Sequence, residues 1–301
     1  MEALRLAYAS LRTPPVTLRP AWPRDTLEAL ARDLESEGVN TSPCRYARAL
    51  KVSSGHLNRT RAYRGGRVAL QDEASQLVSE LVAPRNGERI MDLCAAPGMK
   101  TAQVAQTLGR GTLVACDRSA RRLRLLRTLL PASMPDGVCL LVVRLDAARG
   151  LPFRAEFDRI LLDAPCSGTG TLARHAEIKW RLAPADIGRL AELQARMLRN
   201  ALPALAPGGR LVYATCSLES EENEGVVERV LAEQSSFRRL MRAELCHEHP
   251  RLAPLFDTQG YFRTWPDRDG MDGFRAAVIV RVMSAATAPV GSVSVAGLFS
   301  T

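Results

Sequence analysis

Cys166, in the run Asp163-Ala164-Pro165-Cys166-Ser167-Gly168-Thr169-Gly170, and Cys216, in Ala214-Thr215-Cys216-Ser217, are the residues best suited to chemistry in this sequence. Each follows an apolar run that reads as a buried strand, and a thiolate at the carboxyl end of a strand can face a ligand. Two such sulfurs suggest covalent catalysis in which one attacks and the other assists. Methylation of a cytosine ring is chemistry of this kind, although one cysteine suffices for the attack. A thiolate adds to C6 and makes C5 nucleophilic, C5 takes a methyl group from a sulfonium donor, and removal of the C5 proton expels the enzyme. A second thiol near C5 would assist elimination, and Asp163 would hydrogen-bond the exocyclic amine or N3 edge of the ring. Spacing alone leaves open which sulfur attacks.

The elements that must position these residues alternate strand and helix from Asp72 onward, the pattern of a mostly parallel α/β sheet with helices on both faces. Strands are predicted over residues 89–93, 112–116, 138–145, 157–162 and 210–214, and helices over 101–108, 119–130, 185–205 and 221–232. Residues 261–265 and 274–282 read as two more strands. The tail beyond Met283 has no helical period and is predicted to be flexible.

Four of the strands end in aspartate, at Asp92, Asp117, Asp146 and Asp163, which would place a row of carboxylates at one sheet edge. Between the first strand and its helix, Asp92-Leu93-Cys94-Ala95-Ala96-Pro97-Gly98-Met99-Lys100-Thr101 is built of small residues that let the backbone approach a ligand. Asp117 lies at the distance where an acidic residue commonly accepts hydrogen bonds from a ribose diol. Gly98-Met99-Lys100-Thr101 breaks the Gly-Lys-Thr of a P-loop, and Gly-x-Gly-x-x-Gly is absent. An adenosine ligand without phosphates is therefore expected, with S-adenosylmethionine the candidate.

Residues 1–82 read as a small α+β unit with a strand at 16–19. Asp25-Thr26-Leu27-Glu28 resembles a capping box opening an amphipathic helix, with Leu27, Leu30 and Leu34 on one face and Gly38 past its end. Arg45, Arg48, Lys51, Arg59, Arg61, Arg64 and Arg67, interleaved with Tyr46 and Tyr63, form a mixture suited to phosphate contact and base stacking. A net charge of +9 also suits a polyanionic partner. The expected organisation is an RNA-binding-like unit at 1–82, a methyltransferase domain at 83–283 and a tail at 284–301.

No apolar stretch approaches the roughly 20 residues of a membrane span, and the first ten residues lack the layout of a secretory signal. Seven cysteines without a Cys-x-x-Cys pair fit a reduced compartment, so a cytoplasmic location is expected. Cys94, Cys116 and Cys139 read as small buried apolar residues. Cys246-His247-Glu248-His249 reads as a solvated loop rather than a metal site, and no metal is expected.

At these residues the sequence resembles the RNA cytosine-C5 methyltransferases of the NOL1/NOP2/Sun family, closest to the bacterial Sun (Fmu) type that acts on 16S rRNA. The likeness rests on Asp92 to Thr101, Asp163 to Gly170, Arg174-His175-Ala176-Glu177-Ile178-Lys179-Trp180, Thr215-Cys216-Ser217 with Glu221-Glu222-Asn223, and Gly270-Met271-Asp272-Gly273-Phe274. The resemblance implies a Rossmann-like class I methyltransferase fold with a seven-stranded sheet, an RRM-like N-terminal unit, S-adenosylmethionine as cofactor and RNA as substrate. It makes Cys216 the nucleophile and Cys166 the residue that promotes release, with Lys100 and Asp163 reaching the base. It also implies a cofactor site formed by Cys94, Ala95, Ala96, Pro97, Gly98, Met99, Lys100, Asp117, Arg122, Asp146 and Asp163. Met99 stands where the family usually has glycine, and Arg19-Pro20 where Arg-x-Asn is usual. The sequence is expected to lack the N-terminal helical RNA-binding domain that many of these enzymes carry, and to act as a monomer. Ribosomal RNA is the expected target, with transfer RNA the alternative. Two rival readings are a DNA cytosine-C5 methyltransferase that attacks through Cys166 and a non-catalytic RNA-binding assembly factor on the same fold.

Overall fold

The computed structural model describes residues 2–22, 24–130, 134–153 and 156–282; the tail expected at 284–301 lies outside them. Four strands, β1 (Thr17–Pro20), β2 (Asn40–Pro43), β3 (Leu50–Ser54) and β4 (Val68–Leu70), form an antiparallel sheet in the order β2-β3-β1-β4. Helix Leu27–Ser36 lays Leu30 and Leu34 against Leu18 and Leu50 of that sheet. Its cap is Thr26, whose hydroxyl accepts from the Ala29 amide at 3.1 Å, one residue later than the box expected at Asp25. Asp25 is engaged elsewhere: with Asp33 it binds the Arg67 guanidinium.

That pairing corrects the expected RNA surface, because Arg67 braces the unit instead of reaching outward. Tyr46 is also buried and offers no face to a base. Arg61, Arg64 and Tyr63 remain exposed.

The large sheet comprises β5 (Arg89–Asp92), β6 (Arg110–Asp117), β7 (Gly137–Arg144), β8 (Phe157–Asp163), β9 (Leu205–Thr215), β10 (Phe237–Arg239), β11 (Phe262–Arg263) and β12 (Arg275–Arg281). Seven of them run in the order β10-β12-β9-β8-β5-β6-β7, and the two-residue β11 adds an eighth by pairing with β12. The strands β5 to β9 pair in parallel, so their carboxyl ends share one edge. Side chains alternate between faces, as a pleated strand requires. Ile90, Leu161 and Val212 join Leu77, Val104 and Leu252 on one face. Met91, Ile160, Leu162, Leu211 and Tyr213 join Ala195, Leu198 and Val226 on the other. Each such buried Leu, Ile or Val contributes about 1.5–3 kcal/mol.

Helix Glu73–Leu81 belongs to the first of these cores, so packing continues across residue 82. Arg19, 4% exposed, pins the small sheet to the large one by donating to Gln71, Gln106 and the Met99 carbonyl. Three local expectations change. Cys139 is exposed, because β7 is the last strand of the sheet and its side chains alternate toward solvent. Residues 246–248 lie in helix Arg242–Glu248, where Glu244 closes the first turn by accepting from the Met241 amide. The strand expected at 210–214 begins at Leu205, which pairs with Phe157, and so runs through Pro207-Gly208-Gly209.

Candidate active site

A crevice of about 520 Å3 opens outside the carboxyl ends of β5, β6, β7 and β8. It sits where the strand order reverses, since the chain steps from β5 out to β6 and β7 and then returns past β5 to β8, the position at which open parallel sheets bind ligands. Asp117, Arg122 and Asp146 line it on the β6–β7 side, while Lys100, Asp163, Cys166, His175 and Cys216 line it on the β8–β9 side. One cavity thus joins the carboxylates to both sulfurs.

Of the loop after β5, Cys94, Ala96, Pro97 and Lys100 line the crevice. Ala95, Gly98 and Met99 do not. The Ala95 methyl packs with Leu123 and Leu126, and Gly98 turns the chain at φ 116° beside Leu130, whose Cδ2 would lie 3.2 Å from an added Cβ. Helix Met99–Leu108 starts there, and successive helical residues point about 100° apart, so Lys100 faces the crevice while Met99 faces Arg19 and Trp22.

The aspartates divide similarly. Asp117 is buried, accepts from the Ser119 amide at 2.8 Å and lies 3.4 Å from Arg122, which also donates to the Ala96 carbonyl. Asp146 caps the short helix Ala147–Arg149 through the Ala148 amide. Asp92 lies beneath the floor, bonded to the Thr101 hydroxyl at 2.7 Å, and burial pushes its carboxyl up to about 7. It supports the loop and does not line the crevice. Cys94 and Cys116 are thiols whose pKa values burial raises, Cys116 to about 12.

Lys100 Nζ lies 2.8 Å from Asp163 and 4.9 Å from the centre of the Phe274 ring. Burial alone would lower its pKa, but Asp163 outweighs that and raises it, so a fixed ammonium faces the sulfurs. Cys166 Sγ and Cys216 Sγ are 3.3 Å apart, a thiol contact rather than a disulfide. The hydrogen bond with Cys216 and burial push the Cys166 thiol well above its ordinary range.

Glu222 ties the two cysteine loops together. Fully buried, it accepts from the Ser167 amide at 2.9 Å, from Gln194 at 2.8 Å, and from the hydroxyls of Ser167 and Ser217 at 2.5 Å each. Ser167 follows Cys166 and Ser217 follows Cys216, so one side chain sets both turns. The Gln194 amide also donates to the Pro165 carbonyl, and Tyr213 donates to the Glu222 carbonyl. Thr215 and Asn223 complete the second loop through a 2.6 Å hydrogen bond. Glycines allow the loops to meet: the Gly170 amide donates to the Cys216 carbonyl, and a Cβ on Gly170 would fall 2.0 Å from the Gly273 oxygen. Arg174 clamps this region to Asp272 and Asp72.

Reasoning from residue types missed Gln194, which carries no signal beyond its place in an amphipathic helix. Glu222 and His175 stand in the segments on which the family resemblance rests, but residue type alone assigns neither a role. Among the described residues no cluster of His, Cys, Asp and Glu could hold a metal ion, and no helix is long and apolar enough to cross a membrane.

The family described as 16S rRNA methyltransferase RsmB/F matches residues 79–280. The chain belongs to that family. This agrees with the Sun-type resemblance of its motifs, and the match ends just short of the last described strand residue. The chain is 32% identical over 279 residues to the probable ribosomal RNA small subunit methyltransferase B of Bacillus subtilis, covering 90% of this chain and 61% of the relative. It is 33% identical to ribosomal RNA small subunit methyltransferase B of Erwinia tasmaniensis, covering 92% of this chain and 62% of that one. It therefore spans about three fifths of these curated relatives. A solved methyltransferase homolog from Pyrococcus horikoshii superposes with a TM-score of 0.78 at 28% identity, covering 94% of this chain and 91% of that chain. The solved homolog shares the Rossmann-like methyltransferase sheet of this chain.

Proposed function

We propose that the chain is an S-adenosylmethionine-dependent RNA cytosine-C5 methyltransferase, with ribosomal RNA its substrate, in which Cys216 attacks and Cys166 promotes release. The observation that carries the reading is the 3.3 Å sulfur pair at one end of a crevice whose other end presents Asp117 and Asp146.

The residues fit the cofactor. Asp117 and Asp146 would accept from ribose hydroxyls, the small residues Ala96 and Pro97 would admit a flat adenine, and Lys100 with Asp163 would mark the approach to the sulfurs, all of them lining one crevice. When bound, S-adenosylmethionine would supply an electrophilic methyl group. The remaining chemistry falls to the protein. Cys216 as thiolate forms a bond to C6 of the ring, C5 gains nucleophilic character and takes the methyl group, loss of the C5 proton follows, and the S–C6 bond breaks to return the thiolate. Lys100 offers positive charge beside the ring edge, and Asp163 an acceptor for the exocyclic amine.

The thiol pair supports a fixed order of events. Cys166 holds its proton because Cys216 is hydrogen-bonded to it and because it is buried, with the charge of a Cys216 thiolate adding to the effect. Bonding of Cys216 to C6 removes the hydrogen bond and the neighbouring charge, which favours Cys166 giving its proton to solvent and accepting the C5 proton after attack. A nucleophilic Cys166 would have to ionise against the hydrogen bond and the burial that hold its proton, which counts against the DNA-type assignment. The test is to incubate the protein with isotopically labelled S-adenosylmethionine and small-subunit rRNA, then digest to nucleosides. Label in 5-methylcytidine supports the reading, and label in any other nucleoside contradicts it.

A further inference from the structure

Trp180 is 90% exposed, more than any other large apolar side chain among those described. It stands on the one-turn helix Ile178–Arg181, which is anchored through Ile178. Ile178 is buried, and its Cδ1 would lie 2.9 Å from a Cβ on Gly168, two residues past Cys166. The preceding segment is fixed by the Arg174 and His175 amides, which both donate to the Thr171 carbonyl, and by the Arg174 clamp to Asp72 and Asp272. On one side His175 lines the catalytic crevice. On the other, Lys179 reaches the Ser10 carbonyl across a groove of about 960 Å3, floored by Thr169 and Leu218 from the two cysteine loops. Trp180 is thus a bare indole on a segment that runs between the catalytic crevice and this groove, flanked in sequence by Lys179 and the exposed Arg181.

We propose that Trp180 is a stacking platform for a nucleobase of single-stranded RNA immediately flanking the target cytosine. An indole kept in water at the cost of its own burial, and flanked by cations, matches what single strands use: a π-face for a base and positive charge for the backbone. A cytosine that enters a crevice to meet Cys216 leaves its neighbours unstacked at the mouth, and an exposed indole on the adjoining segment replaces the lost stacking. Because any base has a π-face, the platform gives affinity and positioning, with little sequence preference. The inference rests on RNA being the substrate.

The experiment measures binding of a short single-stranded RNA containing one cytosine, by anisotropy, to the full chain and to Trp180→Phe and Trp180→Ala. Trp180→Ala is expected to weaken binding about 5- to 150-fold, the range of one base–aromatic stack. Trp180→Phe should retain most of the affinity, and S-adenosylmethionine binding should be unchanged in both. An abasic RNA position beside the cytosine should abolish the difference between unaltered protein and Trp180→Ala. If unaltered protein binds the RNA and Trp180→Ala binds within about twofold of it, the platform is overturned while the RNA reading stands. If unaltered protein binds no RNA, both fall. Loss of S-adenosylmethionine binding in Trp180→Ala would assign the residue to the fold and overturn the platform equally.

Discussion

Glu222 offers the sharpest test of whether the two cysteine loops work as one unit. Replacing it with alanine deprives the Ser167 amide, Gln194 and two serine hydroxyls of their acceptor in a fully buried place. The hydroxyls can rotate toward other acceptors; the Ser167 N–H cannot, and Gln194 keeps only its bond to Pro165. At about 1–3 kcal/mol for each buried group left unpaired, the loss is on the order of 4 kcal/mol. For a chain of this size that lowers Tm by roughly 10 °C. Glu222→Gln retains one carbonyl for the Ser167 amide but turns an NH2 toward the serine hydroxyls, and should cost about 1–2 kcal/mol. Both turns carry a cysteine, and a displacement of about 1 Å at a reacting atom costs on the order of 100-fold in rate. Thermal melts and single-turnover methylation assays on both variants decide the matter. Glu222→Gln should remain folded and bind cofactor normally, while kcat falls about tenfold. Glu222→Gln with an undiminished kcat would refute the idea that this side chain positions the sulfurs.

Other outcomes follow from the same geometry. Asp92 carries a folded-state pKa of about 7, above its ordinary 3.8, so the native chain binds the proton more tightly than the unfolded chain. The sign is then fixed: its contribution favours folding at low pH and is lost as pH rises from about 4 to 7, by up to about 4 kcal/mol. Asp92→Asn should flatten that slope and match or exceed the unaltered Tm at pH 8; an unchanged pH profile would contradict it. The sulfurs need to close from 3.3 Å to about 2.05 Å to bond. Hydrogen peroxide, reduced to two waters as two thiols become a disulfide, should link Cys166 to Cys216 and stop methylation until dithiothreitol is added. Differential alkylation with mass spectrometry would find the link, and peroxide inactivation with both thiols still alkylatable would count against it.

The parallel sheet was legible because its strands announce themselves twice, as apolar runs and as runs ending in Asp117, Asp163 or a Thr-Cys pair. The cysteine pair was legible for the same reason, since a residue after a strand must sit at the sheet edge. The distance between the two was not, because it depends on Glu222, Ser167 and Ser217, three polar residues whose joint burial leaves no periodic trace. Asp92 misled for a related reason. It ends a strand like the others, but β5 lies at the centre of the order β8-β5-β6, where the helix that follows covers its end and Thr101 engages it. Arg67 and Tyr46 show the limit of composition: their types suit RNA, yet Asp25 and Asp33 hold the one and the core takes the other.

The division of labour between the two sulfurs is the central claim, and trapping of the covalent RNA complex tests it most directly. Purified Cys166→Ala and Cys216→Ala chains are incubated with S-adenosylmethionine and small-subunit rRNA, then run on a denaturing gel. Cys166→Ala should accumulate an RNA adduct that survives denaturation, because attack proceeds and release does not, whereas Cys216→Ala should neither methylate nor trap RNA. An adduct that forms in Cys216→Ala and is absent from Cys166→Ala would contradict the assignment and make Cys166 the nucleophile.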